Sequence, residues 1–303
     1  MKFLHKKISR AKIKKNLIGY LLMIPSLFLF GFFVFAPLIS NISLSFYSTI
    51  GFEKDQFVGF ANYAAVFSDA NFIAALKNTF LYAFWSLLIG FLLPIFLGLL
   101  LSEVTRFKGL FRVTLYLPSI ISGIAVVILW TFLLDPAAGA PLNALIKAFG
   151  GKPLLFLDDP KMTIPLIVIT MTWRGAGSSA LIYLSTMQTI GTDLYEAARL
   201  EGAGMFERIR YVTLPHLKPL INTMFIMQMI AVLQVFYEPL VMTDGGGPGN
   251  SSLSLMLLSY LYAFRDNAPA KAAAVGVILS FIIIVLTVVY FVVTNRQAKG
   301  ENK

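Results

Sequence analysis

Few residues in this chain could carry covalent or metal chemistry. There is no cysteine, and the two histidines, His5 and His216, sit in basic or loop contexts with no nucleophile beside them. No His-Glu-x-x-His pattern occurs. Gly150-Gly151-Lys152-Pro153 lacks both the earlier glycine and the hydroxyl of a phosphate-cradling loop. Catalysis, including nucleotide hydrolysis by this chain alone, is therefore disfavoured. Two charges stand out instead. Arg174 lies inside an otherwise apolar stretch, and Glu238 lies near the end of another. An ionisable group there is costly, which makes it a functional candidate. Met171, Gly175 and Ser178 share a helical face at i, i+4, i+7 beside Arg174, with Trp173 and Ser179 flanking. Gln234, Tyr237 and Glu238 stack at i, i+3, i+4. Amides, hydroxyls and an aromatic face suit a sugar, whose OH groups need hydrogen bonds and whose CH face stacks. A cation path would gather more carboxylates. The competing reading is structural: Arg174 snorkels outward, or pairs with Glu238 and holds two helices together.

The longest polar interruption of the second half runs from Glu196-Ala197-Ala198 through Glu201-Gly202-Ala203 to Leu214-Pro215 and Pro219. Leu194, Ala197 and Ala198 fall on one side of a first short helix, and Met205, Ile209 and Val212 on one side of a second. Gly202 supplies the turn between them. Pro215 and Pro219 are expected to stop the second helix. Arg199, Arg208, Arg210 and Lys218 assign the stretch to the inner side. Such a half-apolar knob fits a partner's groove, or else lies on the lipid surface as an amphipathic loop.

These residues need a membrane scaffold. The chain of 303 residues is 57% apolar and 13% charged, with mean hydropathy +0.77, a composition of multi-spanning membrane proteins. Six transmembrane helices are expected, at residues 17–38, 78–101, 113–134, 163–190, 220–241 and 272–295. Residues 1–16 form a basic tail carrying seven of the 25 Lys and Arg, and 296–303 a second short tail. A cleaved leader is disfavoured because the first apolar run exceeds the usual ~7–15 residues. Lys and Arg fall on the presumed inner side by more than two to one, which places both termini in the cytoplasm. This distribution assigns the net charge of +10 to membrane lipid and topology rather than to nucleic acid. Residues 51–75 are read as an outer helix and turns, 243–250 as irregular backbone, and 253–264 as an interfacial or re-entrant helix, too short for the roughly 20 residues of a span. A voltage sensor or potassium filter finds no matching pattern. An ion-coupled secondary transporter remains the alternative from another class, on the strength of Arg174 and Glu238.

The polar stretch resembles the coupling loop of permease subunits of bacterial ABC importers: Glu-Ala-Ala, three residues, Gly, nine residues, an apolar residue, one more, then Leu-Pro. Glu196, Ala197, Ala198, Gly202, Val212, Leu214 and Pro215 meet that pattern. Glu201 stands where the family more often has Asp, and Gly191 where it usually has Pro. The resemblance extends to Phe57-Val58-Gly59-Phe60-Ala61-Asn62-Tyr63, to Leu117-Pro118-Ser119 and to the glycine run after Thr243. It is closest to the first permease of maltose-type and glycerol-phosphate-type systems. It implies the type I importer transmembrane fold over 17–295, with the coupling loop at 191–217. It also implies a bacterial inner-membrane location, a second related permease, two ATPase subunits that bind the ATP and Mg, and an extracytoplasmic sugar-binding protein. No cofactor is implied for this chain. Substrate contacts carry over to Met171, Gly175 and Ser178; Met171 and Ser178 differ from the residues the maltose type uses there. Glycerol phosphate is the alternative substrate.

Overall fold

The computed structural model describes residues 10–104 and 106–301; the basic stretch 1–9, with His5, lies outside the described residues. Helix α1 (Arg10–Phe30) passes through a π-helical turn at Gly31–Phe35 into α2 (Ala36–Leu44). The helix thus runs past the expected end at residue 38. Pro37 sits in the first turn of α2, where its missing N–H leaves little unsatisfied. Two strands, β1 (Tyr47–Ile50) and β2 (Glu53–Phe57), then pair antiparallel across Gly51 and Phe52, and Gly51 takes φ +59°. This exposed hairpin replaces the first part of the expected outer helix and turns. Helix α3 (Ala61–Phe67) follows.

Helix α4 (Ala70–Trp85) is capped by Asp69, whose carboxylate accepts from the Asn71 N–H at 2.8 Å. It continues through a π-helical turn at Ser86–Phe91 into α5 (Leu92–Glu103). The third apolar stretch is broken: α6 (Lys108–Ile120) and α7 (Gly123–Leu133) meet at 95°. A short α8 (Pro141–Ala148) lies in the following connection. There the buried Asn143 donates to the carbonyls of Pro136 and Leu154, each at 3.0 Å. Then come α9 (Thr163–Met187), α10 (Thr192–Leu200), α11 (Met205–Arg208), α12 (Leu214–Leu233), α13 (Tyr237–Met242), α14 (Leu255–Phe264) and α15 (Pro269–Glu301).

The count of six spans is corrected. Among the described residues four helices are long and apolar enough to cross a membrane: Gly19–Leu44, Ala70–Glu103, Met205–Leu233 and Pro269–Thr294. A fifth is added if the bent pair α6–α7 is one span. The fold remains all-α and multi-pass apart from the hairpin. The expected fourth segment is a 25-residue helix, but Thr170, Thr172, Arg174, Ser178 and Ser179 make α9 too polar to count as an apolar span. Much of it is buried by its neighbours instead of by lipid. Placing both termini on one side depended on the count of six, and four or five leaves the parity open.

The main core gathers α4, α9, the end of α12, α14 and α15, with Tyr82, Phe72, Ile167, Leu233, Leu255, Leu257 and Val275 almost fully buried. Residues 253–264, expected as interfacial or re-entrant, become α14, whose Leu255, Leu257, Leu258 and Leu261 are inside this core. The run before it is irregular, as its composition implies. Asp244, Gly245, Gly246, Gly247, Gly249 and Asn250 all have positive φ. Helix α4 holds this run by a buried polar row. Asn78 donates to the Asn250 and Leu253 carbonyls at 2.7 and 3.1 Å, Tyr82 donates to the Ser252 carbonyl at 3.0 Å, and Thr79 accepts from the Leu255 N–H at 3.0 Å.

Candidate functional site

Helix α12 stops at Leu233 for a reason set by Pro239. In a continuous helix the Val235 carbonyl would accept from the N–H of residue 239, which proline lacks. Ser254 donates to that carbonyl instead, at 2.6 Å. Residues 234–236 leave the helix, and α13 restarts at Tyr237. The break opens a cavity of about 410 Å³ against α9. Met171, Arg174, Gly175 and Ser178 line it from α9, and Gln234, Tyr237 and Glu238 from the break and α13. Trp173 is not among them; it packs edge-on to Trp130 with ring centroids 5.9 Å apart.

Ser119, Ala231, Val235 and Phe236 also line the cavity and were not singled out from the sequence. Ser119 follows Pro118 near the end of α6, so a helix ending there was the available signal. Nothing in Leu-Gln-Val-Phe-Tyr marks a helix break; the cause is Pro239, downstream of it.

Two glycines on α9 behave oppositely. A Cβ at Gly175 would meet nothing within 4 Å, so this residue borders open space. A Cβ at Gly177 would overlap the Leu115 carbonyl, because α6 crosses α9 in contact with it. Gly123, the first residue of α7, admits the Tyr237 side chain: a Cβ there would lie 2.9 Å from its hydroxyl oxygen. Arg174 Nη1 donates to that hydroxyl at 3.0 Å. Tyr237 thus takes the partner's place that a direct Arg174–Glu238 pair would have filled. Glu238 is only 4% exposed, and its Oε2 and the Arg174 Nε are both buried without a hydrogen-bond partner among the described residues.

The second site is the polar stretch. Helix α10 ends in a Schellman turn: Ala203 N–H donates to the Ala198 carbonyl at 2.9 Å, and Gly202 N–H to the Arg199 carbonyl at 3.0 Å. Gly202 has φ +85° there. The N–H of Gly204 donates to Glu207 Oε2 at 2.7 Å and starts α11. Pro215 and Pro219 do not stop the second helix. After α11 the chain winds through a π-helical turn at Ile209–Thr213, and α12 begins at Leu214 with Pro215 in its first turn and Pro219 inside it. Tyr195 and Thr213 hydroxyls, 2.9 Å apart, tie α10 back to that turn. The result is a bent knob whose Leu200 and Phe206 are 91% and 84% exposed. Glu196, Ala197 and Glu201 are exposed on it, while Ala198 and Ala203 are half-buried.

Residues 90–299 match the family described as binding-protein-dependent transport system inner membrane component. The chain belongs to that family. It is 32% identical over 298 residues to the lactose transport system permease protein LacF of Rhizobium radiobacter, covering 95% of this chain and 98% of the relative. It is 29% identical over 288 residues to the arabinooligosaccharides transport system permease protein AraP of Bacillus subtilis, covering 95% and 91%. Among solved structures it is similar to a bacterial ABC transporter involved in the import of the acidic polysaccharide alginate. That match has TM-score 0.84 and 25% identity, over 94% of this chain and 98% of that one. The permease is thus a non-catalytic, multi-spanning protein of the bacterial inner membrane whose fold resembles type I importer transmembrane domains. Membership carries the general importer architecture of paired permeases, an ATPase dimer and a substrate-binding protein.

Proposed function

We propose that this permease forms half of the translocation path for an oligosaccharide, and that the cavity between α9 and the α12–α13 break is its sugar-contacting surface. The observation that carries the reading is the convergence of Arg174, Ser178, Gln234, Tyr237 and Glu238 on one cavity. A sugar hydroxyl both donates and accepts, so a polyol suits a lining that mixes a guanidinium, hydroxyls, an amide and a carboxylate. Met171, Gly175, Ser178, Gln234 and Tyr237 supply the shape and further contacts, and Trp173 supports α9 from behind through Trp130. A phosphate, as in a glycerol-phosphate permease, would satisfy the arginine but confront the carboxylate. Glu238 thus favours a neutral carbohydrate, in keeping with the lactose and arabinooligosaccharide systems of the relatives.

Transport is driven from outside the chain. Glu196, Ala197, Ala198, Glu201, Gly202, Ala203, Leu214 and Pro215 form a coupling loop that seats in a separate ATPase, its exposed Leu200 and Phe206 filling the partner's groove. A second related permease completes the path, two ATPase copies bind the ATP and Mg, and an extracytoplasmic binding protein delivers the sugar. The loop must bind the two states of the ATPase unequally, since equal binding would transmit nothing. Vesicles holding the complete complex test this. Uptake of a labelled oligosaccharide should require ATP and the binding protein, and should fall in Glu238→Gln with the complex intact. Uptake by the lone permease without nucleotide would overturn the reading.

A further inference from the structure

A second cavity, of about 490 Å³, lies at the coupling-loop end of the bundle, between the end of α5, the start of α6, the end of α9 and α10. Four cations line it, Lys108, Arg112, Arg199 and Arg208, against two carboxylates, Glu103 and Glu196. None of these six forms an ion pair among the described residues. Arg208 makes one bond, from Nη1 to the Ala203 carbonyl at 3.3 Å. Lys108 stands in the first turn of α6, where the helix's own positive end adds to the uncompensated charge. The cavity floor is apolar, with Leu101, Leu184 and Met187 buried. Phe107 just before α6, and Leu110, Phe111 and Val113 on it, are exposed, Phe107 to 75%.

We infer that this cavity binds the phosphate of an anionic phospholipid headgroup, with the acyl chains lying along the exposed apolar side chains of α6. The charge excess calls for an anion, and basic pockets between membrane helices are suited to lipid phosphates. The apolar floor and the exposed apolar side chains elsewhere on α6 favour a lipid over a free ion, because a soluble phosphate would cover neither. A lipid held there joins α6 to α10 and so couples the bundle to the loop. The inference is independent of the sugar; Glu196 and Arg199 belong to the coupling loop, so the test scores loss of a bound subunit apart from loss of lipid.

The test uses the full chain, in the assembly in which it purifies, in a neutral detergent. Phosphatidylglycerol is titrated while bound lipid is counted by native mass spectrometry and thermal stability is followed. The wild type should retain phosphatidylglycerol in preference to phosphatidylcholine and be stabilised by it. The double variant Lys108→Gln with Arg112→Gln should need at least five-fold more phosphatidylglycerol for the same stabilisation. Lys147→Gln with Lys152→Gln, an equal charge change at exposed sites in another loop, should match the wild type. Equal lipid retention by both double variants would overturn the inference. So would stabilisation by inorganic phosphate alone, or loss of a bound protein subunit from the first variant with lipid retention unchanged.

Discussion

Arg174 and Tyr237, 63 residues apart, meet across the cavity through a hydrogen bond of 3.0 Å from Nη1 to the phenol. The bond joins α9 to the restarted helix after the break, so it fixes the width of the cavity. Tyr237→Phe keeps the ring and removes the acceptor. A hydrogen bond to a charged group contributes about 1.5–3 kcal/mol, so the guanidinium should reorient. We expect the KM for sugar uptake to change several-fold, with the amount of assembled complex unaltered. Falling complex yield with unchanged KM would assign the bond to helix packing alone.

Gly175 and Gly177 are two residues apart on α9 and should respond in opposite ways. At Gly177 an added methyl overlaps the Leu115 backbone, so α6 and α9 must separate. Overpacking of this kind costs about 1–3 kcal/mol or more. Gly177→Ala should lower the thermal midpoint and the yield of complex. Gly175→Ala meets nothing within 4 Å and should fold normally. It narrows the cavity, so its effect belongs in uptake kinetics. A normal thermal midpoint for Gly177→Ala would contradict the close crossing described here.

Gly202 sits in open space with φ +85°, so its replacement is penalised by conformation and not by contact. Ala in the left-handed region costs roughly 1–2 kcal/mol; Asn costs less, and Pro cannot adopt that φ. Transport-linked ATP hydrolysis in the assembled complex should therefore fall in the order Gly, Asn, Ala, Pro, while membrane insertion is unaffected. If Gly202→Pro hydrolyses ATP in response to sugar as the wild type does, the loop does not couple.

What could be read from the sequence, and what could not, follows from range. The Gly202 turn and the irregular run after Thr243 are local, and their residue types imply their backbone. Met171, Gly175 and Ser178 share a face by spacing alone, and the structure lines one cavity with them. Among the described residues the expected six spans fall to five because α9 is long but polar, and to four where α6 and α7, meeting at 95°, are not one span. The Thr and Ser hydroxyls of α9 back-bond within the helix, as Thr170 does to the Leu166 carbonyl and Thr172 to the Val168 carbonyl, so length and apolarity part company. Pro215 and Pro219 were misread as stops because the π-helical turn that precedes them has no composition signal. The break before Tyr237 needed a partner 19 residues away, Ser254, to satisfy Val235.

Asn78 offers a test of how the glycine run is held. Its amide nitrogen serves two carbonyls, those of Asn250 and Leu253, from a position 7% exposed. Both are acceptors, so residue 78 must present a donor to bond them. Asn78→Asp preserves shape but supplies a carboxylate that, when ionised, would face two carbonyl oxygens. Asn78→Ala removes the donor and leaves the Leu253 carbonyl bare, while the Asn250 carbonyl keeps only the Leu253 N–H, at 3.2 Å. Each unsatisfied buried group costs about 1–3 kcal/mol, and the aspartate adds repulsion or the cost of taking up a proton. Asn78→Asp should therefore be no more stable than Asn78→Ala, although it is the nearer isostere. Tyr82→Phe loses one bond, to the Ser252 carbonyl, and should fall between these variants and the wild type. Thermal unfolding of the three variants in detergent orders them. An aspartate variant as stable as the wild type would mean that the run is held by its own backbone bonds and not by α4.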